Sequence, residues 1–145
     1  MKKIIPILFF LPSLSVAWGD IDKKLKFMST DIREVISVGT WAERKKEGYY
    51  RFIVVGGGIE HYKAKLFIQW VTSGSDMESP VILASIAIKE INGSPIYAFR
   101  LPKCIDKNSC SVITFIAEQT YTQEKYRFKI RLKGIGKYVF SKKKL

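Results

Sequence analysis

Lys125, Arg127, Lys129, Arg131 and Lys133 occupy every second position of one run, with Tyr126, Phe128, Ile130 and Leu132 between them. Side chains on a β-strand point alternately to opposite faces, so this run reads as a strand with one apolar and one wholly cationic face. Like charges on that face recur every ~6.8 Å. Their repulsion must be tolerated, screened by salt, or matched by an acidic partner. Lys63 and Lys65 form a second alternating basic row, and Lys142–Lys144 a third basic element. If contiguous, the rows would bind carboxylates or phosphates in a salt-sensitive manner. A passive role competes with this one, because lysines also keep exposed sheets from pairing edge to edge.

Cys104 and Cys110 enclose Ile-Asp-Lys-Asn-Ser. In an exported chain such a pair is most simply a disulfide. Closing so small a loop contributes roughly 2 kcal/mol of chain entropy. Asp106–Ser109 has turn composition, so the bridge is expected to staple a hairpin. The Cys-x-x-Cys spacing of redox pairs is absent. Two cysteines and a single histidine are too few ligands for a structural zinc site, so no metal and no cofactor are expected.

Catalytic chemistry has little to work with. His61, the only histidine, stands next to Glu60 and could act as a general base. It reads more simply as an exposed residue of a polar strand face. With one histidine, a Ser-His-Asp arrangement has no redundancy. Gly56-Gly57-Gly58 lacks the Gly-Lys-Ser/Thr ending of a phosphate-binding loop. A glycosidase needs two carboxylates a few ångströms apart. Nothing singles out a pair among Glu34, Glu43, Glu47, Glu60, Asp76, Glu78 and Glu118, which read as local counter-ions. The chain is therefore expected to be non-catalytic.

The elements that position these residues begin after an export signal. Lys2 and Lys3 precede an apolar stretch from Ile4 to Leu14, and Ser15-Val16-Ala17 supplies small residues for cleavage before Trp18. Residues 1–17 are expected to be a signal peptide, and the mature protein periplasmic or secreted. The apolar stretch is short for a membrane span and is interrupted by Pro6 and Pro12. Residues 18–145 are expected to form one β-rich domain, long enough to bury a real core. The formal charge of +12 falls to about +10 once Lys2 and Lys3 leave with the signal. Outside the cytoplasm the anions available to such a domain are acidic proteins, anionic lipids, lipopolysaccharide and acidic polysaccharides. No motif points to specific nucleic-acid recognition, and peripheral contact with a membrane surface fits the charge.

Ile21, Leu25, Met28 and Ile32 fall at helical spacing and predict a short N-terminal helix. Everything after it reads as strand. Expected strands cover 32–41, 49–55, 59–72, 81–91, 95–103, 109–119, 125–133 and 137–141. Gly56–Gly58 and Asn92-Gly93 are expected to be hairpin turns. Val81–Ile91 is nearly continuous in apolar character, as in a strand buried on both faces, although a helix is tolerated there. In 59–72, Tyr62, Ala64, Leu66, Ile68 and Trp70 form the apolar face. Seven or eight short strands, with turns every 8–12 residues and no long crossover helix, predict an all-β antiparallel sandwich or small barrel. Most of the aromatics, Trp41, Tyr50, Phe52, Trp70, Phe115 and Phe128 among them, fit core positions.

Three functions compete on these grounds. The first is an exported binding domain whose basic face, Lys125 to Lys133 with Lys63 and Lys65, docks on an acidic protein, as an inhibitor, toxin-neutralising protein or envelope-assembly subunit would. The second is a binder of lipopolysaccharide or anionic lipid through the same residues. The third is a cell-wall hydrolase with a cleft holding two close carboxylates, or Glu60 and His61. The first is favoured.

Overall fold

Alternation is the rule that builds this molecule. The computed structural model describes residues 29–58, 62–74, 78–93 and 95–145. The expected signal peptide, Trp18, the helix predicted through Ile21, Leu25 and Met28, and the pair Glu60 and His61 lie outside these residues. Ile32, placed last in that helix by its spacing, instead opens a strand.

Two antiparallel sheets carry the described chain. The first is a meander in the order β1 (Ile32–Glu43), β2 (Lys46–Gly57), β3 (Lys63–Thr72) and β4 (Ile82–Ala87). A single turn of helix, α1 (Lys89–Asn92), then leads into the second sheet. There β5 (Tyr97–Phe99) and β6 (Lys103–Cys104) both pair with β7 (Val112–Gln119), followed by β8 (Lys125–Gly134) and β9 (Lys137–Lys144). The expected all-β sandwich is the observed fold.

The core lies between the sheets. The first contributes Tyr50, Phe52 and Val54 from β2, and Ala64, Leu66, Ile68 and Trp70 from β3. The second contributes Ile113, Phe115 and Ala117 from β7, and Phe128, Ile130 and Leu132 from β8. Each set occupies alternate positions, as a period of two requires. Phe128 is the hub, with ring centroids 4.9 Å from Tyr97, 5.6 Å from Phe115 and 5.1 Å from Phe140. Burying each such ring stabilises the fold by about 1.5–3 kcal/mol. Trp70 is fully buried and meets Tyr50 edge-on at 5.7 Å.

Five local expectations need correction. The β1–β2 connection is a tight turn at Arg44–Lys45, with Glu43 paired to Lys46, shorter than the gap between the expected strands 32–41 and 49–55. Gly56 and Gly57 are strand residues, opposite Ala64 and Lys63, rather than the hairpin turn itself. The Tyr62 hydroxyl packs where a β-carbon at position 56 would lie, so a side chain there would displace it. Val81–Ile91 is not a strand buried on both faces. It is an edge strand, β4, with Val81 and Ile82 exposed, followed by α1, whose N-cap Ile88 and internal Ile91 are fully buried. The apolar run is continuous because chain leaving one sheet and crossing to the other is apolar in both conformations.

Asn92-Gly93 is the end of that helix and not a hairpin. The Leu66 N–H donates to Asn92 Oδ1 at 2.8 Å, and Asn92 Nδ2 donates to the Leu66 carbonyl at 2.9 Å. The last β3–β4 pair is Phe67 with Ala87, so the Asn92 amide stands in for a strand neighbour one residue further on. The predicted strand 95–103 is likewise split. Pairing shifts between Phe99–Ala117 and Lys103–Thr114, which sets Arg100, Leu101 and Pro102 opposite only Phe115 and Ile116. That bulge turns eight expected strands into nine.

Candidate functional site

The cationic run is β8, and its alternation is complete. Phe128, Ile130 and Leu132 are buried, Tyr126 half-buried, and Lys125, Arg127, Lys129, Arg131 and Lys133 all exposed. The strand lies inside its sheet, between β7 and β9. These cations therefore form a ridge across the middle of an outer face rather than protection for an edge.

The flanks of the ridge are low. On β7, Thr114 is paired with Lys129, Val112 with Arg131 and Ile116 with Arg127. On β9, Ser141 faces Lys129, Val139 faces Arg131 and Lys143 faces Arg127. Apart from Lys143, the shorter side chains beside the cationic ones leave the charges standing above their neighbours. Glu118 is the one acid in this register, 3.8 Å from Lys125 with both side chains substantially exposed, a pair worth little to stability. Among the described residues no carboxylate pairs with Arg127, Lys129, Arg131 or Lys133. Neighbouring charges ~6.8 Å apart repel by about 0.6 kcal/mol in a water-like dielectric.

The other basic elements divide. Lys63 and Lys65 alternate with the buried Ala64 and Leu66, so they project from the outer face of the first sheet, on the far side of the sandwich. Strand order, on which contiguity depended, therefore separates Lys63 and Lys65 from the β8 row. At the C-terminus only Lys143 joins the β8 face. Lys142 lies over the Tyr126 ring, 4.8 Å from its centroid, and Lys144 pairs with Glu124. Glu124 also accepts a 2.5 Å hydrogen bond from the Tyr126 hydroxyl. The Lys144 and Tyr126 contacts hold the Glu124 carboxyl below its ordinary range, and the bond to Glu124 raises the Tyr126 phenol.

One residue group that sequence reasoning missed lies beside the ridge. The bulge between β5 and β6 opens a groove of about 900 Å³. Arg100 and Lys103 line it from the bulged strand, Lys125 and Arg127 from β8. Its apolar lining includes Phe99, Leu101, Phe115 and Ile116. A one-residue bulge depends on which residues pair across the sheet, so no local pattern announces it.

Cys104 and Cys110 are joined in a disulfide, as the spacing predicts, with Cα atoms 4.9 Å apart. Asp106 organises the enclosed turn, accepting from the Asn108 N–H at 3.0 Å and from the Ser109 hydroxyl at 2.6 Å. These bonds lower the Asp106 carboxyl below its ordinary range, the Ser109 hydroxyl most of all. A disulfide is consistent with an extracellular or periplasmic location.

Among the carboxylates considered for hydrolysis, Glu43 accepts the Ile135 N–H at 2.9 Å and Glu118 faces Lys125, so both have structural partners. Glu47 and Glu78 line one cleft of about 660 Å³ together with Lys45 and Lys46. Among the described residues no cluster of three or more His, Cys, Asp or Glu could hold a metal ion, and no helix is long and apolar enough to cross a membrane.

Comparison with protein-family models, curated proteins and solved structures finds no match to this chain. The functional reading therefore rests on the site itself.

Proposed function

We propose that the mature protein is an exported, non-catalytic β-sandwich that binds an acidic protein partner through the outer face of its second sheet. The observation that carries the reading is the ridge Lys125, Arg127, Lys129, Arg131 and Lys133, exposed and, among the described residues, ion-paired only through Lys125 and Glu118. A fold gains nothing in stability from aligned like charges, whereas an acidic surface that meets them gains attraction and orientation. Lys103 and Lys143, paired into the same face, widen it. Lys63 and Lys65 belong to the opposite face and are not part of this contact. The N-terminal export signal and the disulfide support a periplasmic or extracellular setting.

The test is cross-linked affinity capture from the native cell envelope, with Arg127→Glu/Lys129→Glu/Arg131→Glu run in parallel. One stoichiometric acidic protein held by the native chain and lost by the variant supports the reading. Equal capture by both would sink it. Lipopolysaccharide or anionic lipid, released by salt, in place of a protein would favour an envelope-polyanion binder.

A further inference from the structure

We propose that the groove beside the ridge is an anchor site for an apolar side chain within an extended acidic segment of the partner protein. This rests on the acidic-partner reading above and adds to it a pocket, a spacing and a polarity.

The groove combines two chemistries. Its volume of about 900 Å³ lies in the range of ligand-binding sites. Ile116, on β7, is 53% exposed on this face. Beneath it the bulge brings two core rings, Phe99 and Phe115, into the lining, with centroids 5.1 Å apart. Arg100 and Lys103 rise on one side, and Lys125 and Arg127 on the other. A purely polyanionic polymer would use these cations and leave the apolar floor wet. An acidic segment carrying one aliphatic or aromatic residue uses both.

The sheet register then sets the spacing. Residues two apart in an extended segment repeat every ~6.8 Å, the same repeat as β7 and β8 beneath it. With the apolar residue over Ile116, the next same-face residue toward the cysteine loop lies over Thr114. Thr114 is paired with Lys103 on one side and Lys129 on the other, so a carboxylate there sits between two cations. The following position lies over Val112, beside Arg131. In the opposite direction the next position lies over Glu118, which repels an acid. The complementary segment thus has an apolar anchor with acids two and four residues away on one side only. Charge complementarity of this kind fixes register as well as attraction.

The experiment uses short synthetic peptides and the mature protein. One peptide has leucine followed by glutamate at every second position, with threonine between. A second reverses that order, and further versions replace leucine by alanine. At least one leucine peptide should bind about tenfold or more tightly than its alanine version. That preference should vanish in Ala98→Trp, which fills the groove, and in Ile116→Ser, which removes its exposed apolar wall. Both variants keep every cation of the face, and the second guards against misfolding of the first. Equal binding of leucine and alanine peptides would overturn the anchor while leaving the acidic-partner reading intact. Failure of every glutamate peptide, together with binding of phosphatidylglycerol vesicles that Ile116→Ser weakens, would overturn both.

Discussion

Gly39 and Cys110 touch across the sandwich, one on β1 of the first sheet and the other closing the disulfide loop of the second. A side chain at position 39 would overlap the Cys110 β-carbon and lie 2.7 Å from the Ser109 carbonyl oxygen. Gly39 also has φ +53°, in the left-handed region that glycine enters without strain. Beside it the Thr40 N–H donates to the Asn108 carbonyl at 3.0 Å. The register of β1 shifts between Val38 and Trp41, so the contact falls where the edge strand is already irregular.

Gly39→Ala should therefore destabilise the protein by about 1–3 kcal/mol, combining backbone strain with the overlap. Removal of the disulfide by Cys104→Ser/Cys110→Ser should cost about 2 kcal/mol. The two losses should not add, because each frees the same loop from the same strand. Urea unfolding of the single, double and combined variants checks this. Full additivity would mean that the loop does not dock on β1.

Asn92→Ala should cost about 2–3 kcal/mol, since it removes both side-chain hydrogen bonds to the Leu66 backbone and leaves the buried Leu66 N–H without its acceptor. Exchange of the Leu66 amide with solvent should accelerate more than that of Phe52 or Ile68. Unchanged protection at Leu66 would show that water replaces the amide without loss.

Stability should rise with sodium chloride. Screening weakens the repulsion along Lys125 to Lys133, and about 1 kcal/mol should be gained between ~10 mM and ~0.5 M salt. Lys129→Glu, flanked by Arg127 and Arg131, should raise low-salt stability and flatten the salt curve. A midpoint insensitive to salt in the native chain would mean that the ridge is already neutralised.

The Glu124–Tyr126–Lys144 cluster should give stability a two-sided pH dependence. Glu124 has its carboxyl lowered in the fold, so its contribution is complete above the ordinary value of 4.5 and is lost as pH falls below it. Tyr126 is raised, chiefly by its bond to Glu124, so its contribution is complete below 10.0 and is lost as pH climbs past it. Burial raises Tyr50 and Tyr138 in the same direction. Glu124→Gln should shrink the acid limb and Tyr126→Phe part of the alkaline limb, read from thermal midpoints across pH. Limbs of unchanged size in these variants would assign the dependence to other groups.

Local alternation made much of this fold legible. The β3 face of Ala64, Leu66, Ile68 and Trp70, and the two faces of β8, follow from a covalent period of two that a residue cannot escape without a bulge. The cysteine pair was legible because a bridge over five residues has few alternatives. Gly56 and Asn92 misled for a common reason. Their types suit turns, but each is placed by a cross-strand contact, with Ala64 in one case and the Leu66 backbone in the other.

The sequence by itself determined that β8 has a cationic face, that the chain is an antiparallel all-β fold, sandwich or barrel, and that Cys104 bonds to Cys110. These depend on side-chain period and short-range spacing. Only the tertiary structure decided that β8 is an interior strand, that Lys63 and Lys65 point away from its cations, and that Arg100 and Lys103 share a groove with Lys125 and Arg127. Those outcomes depend on strand order and on a single-residue bulge. Both are selected by how the two inner faces pack together, a property of the whole chain and not of any segment.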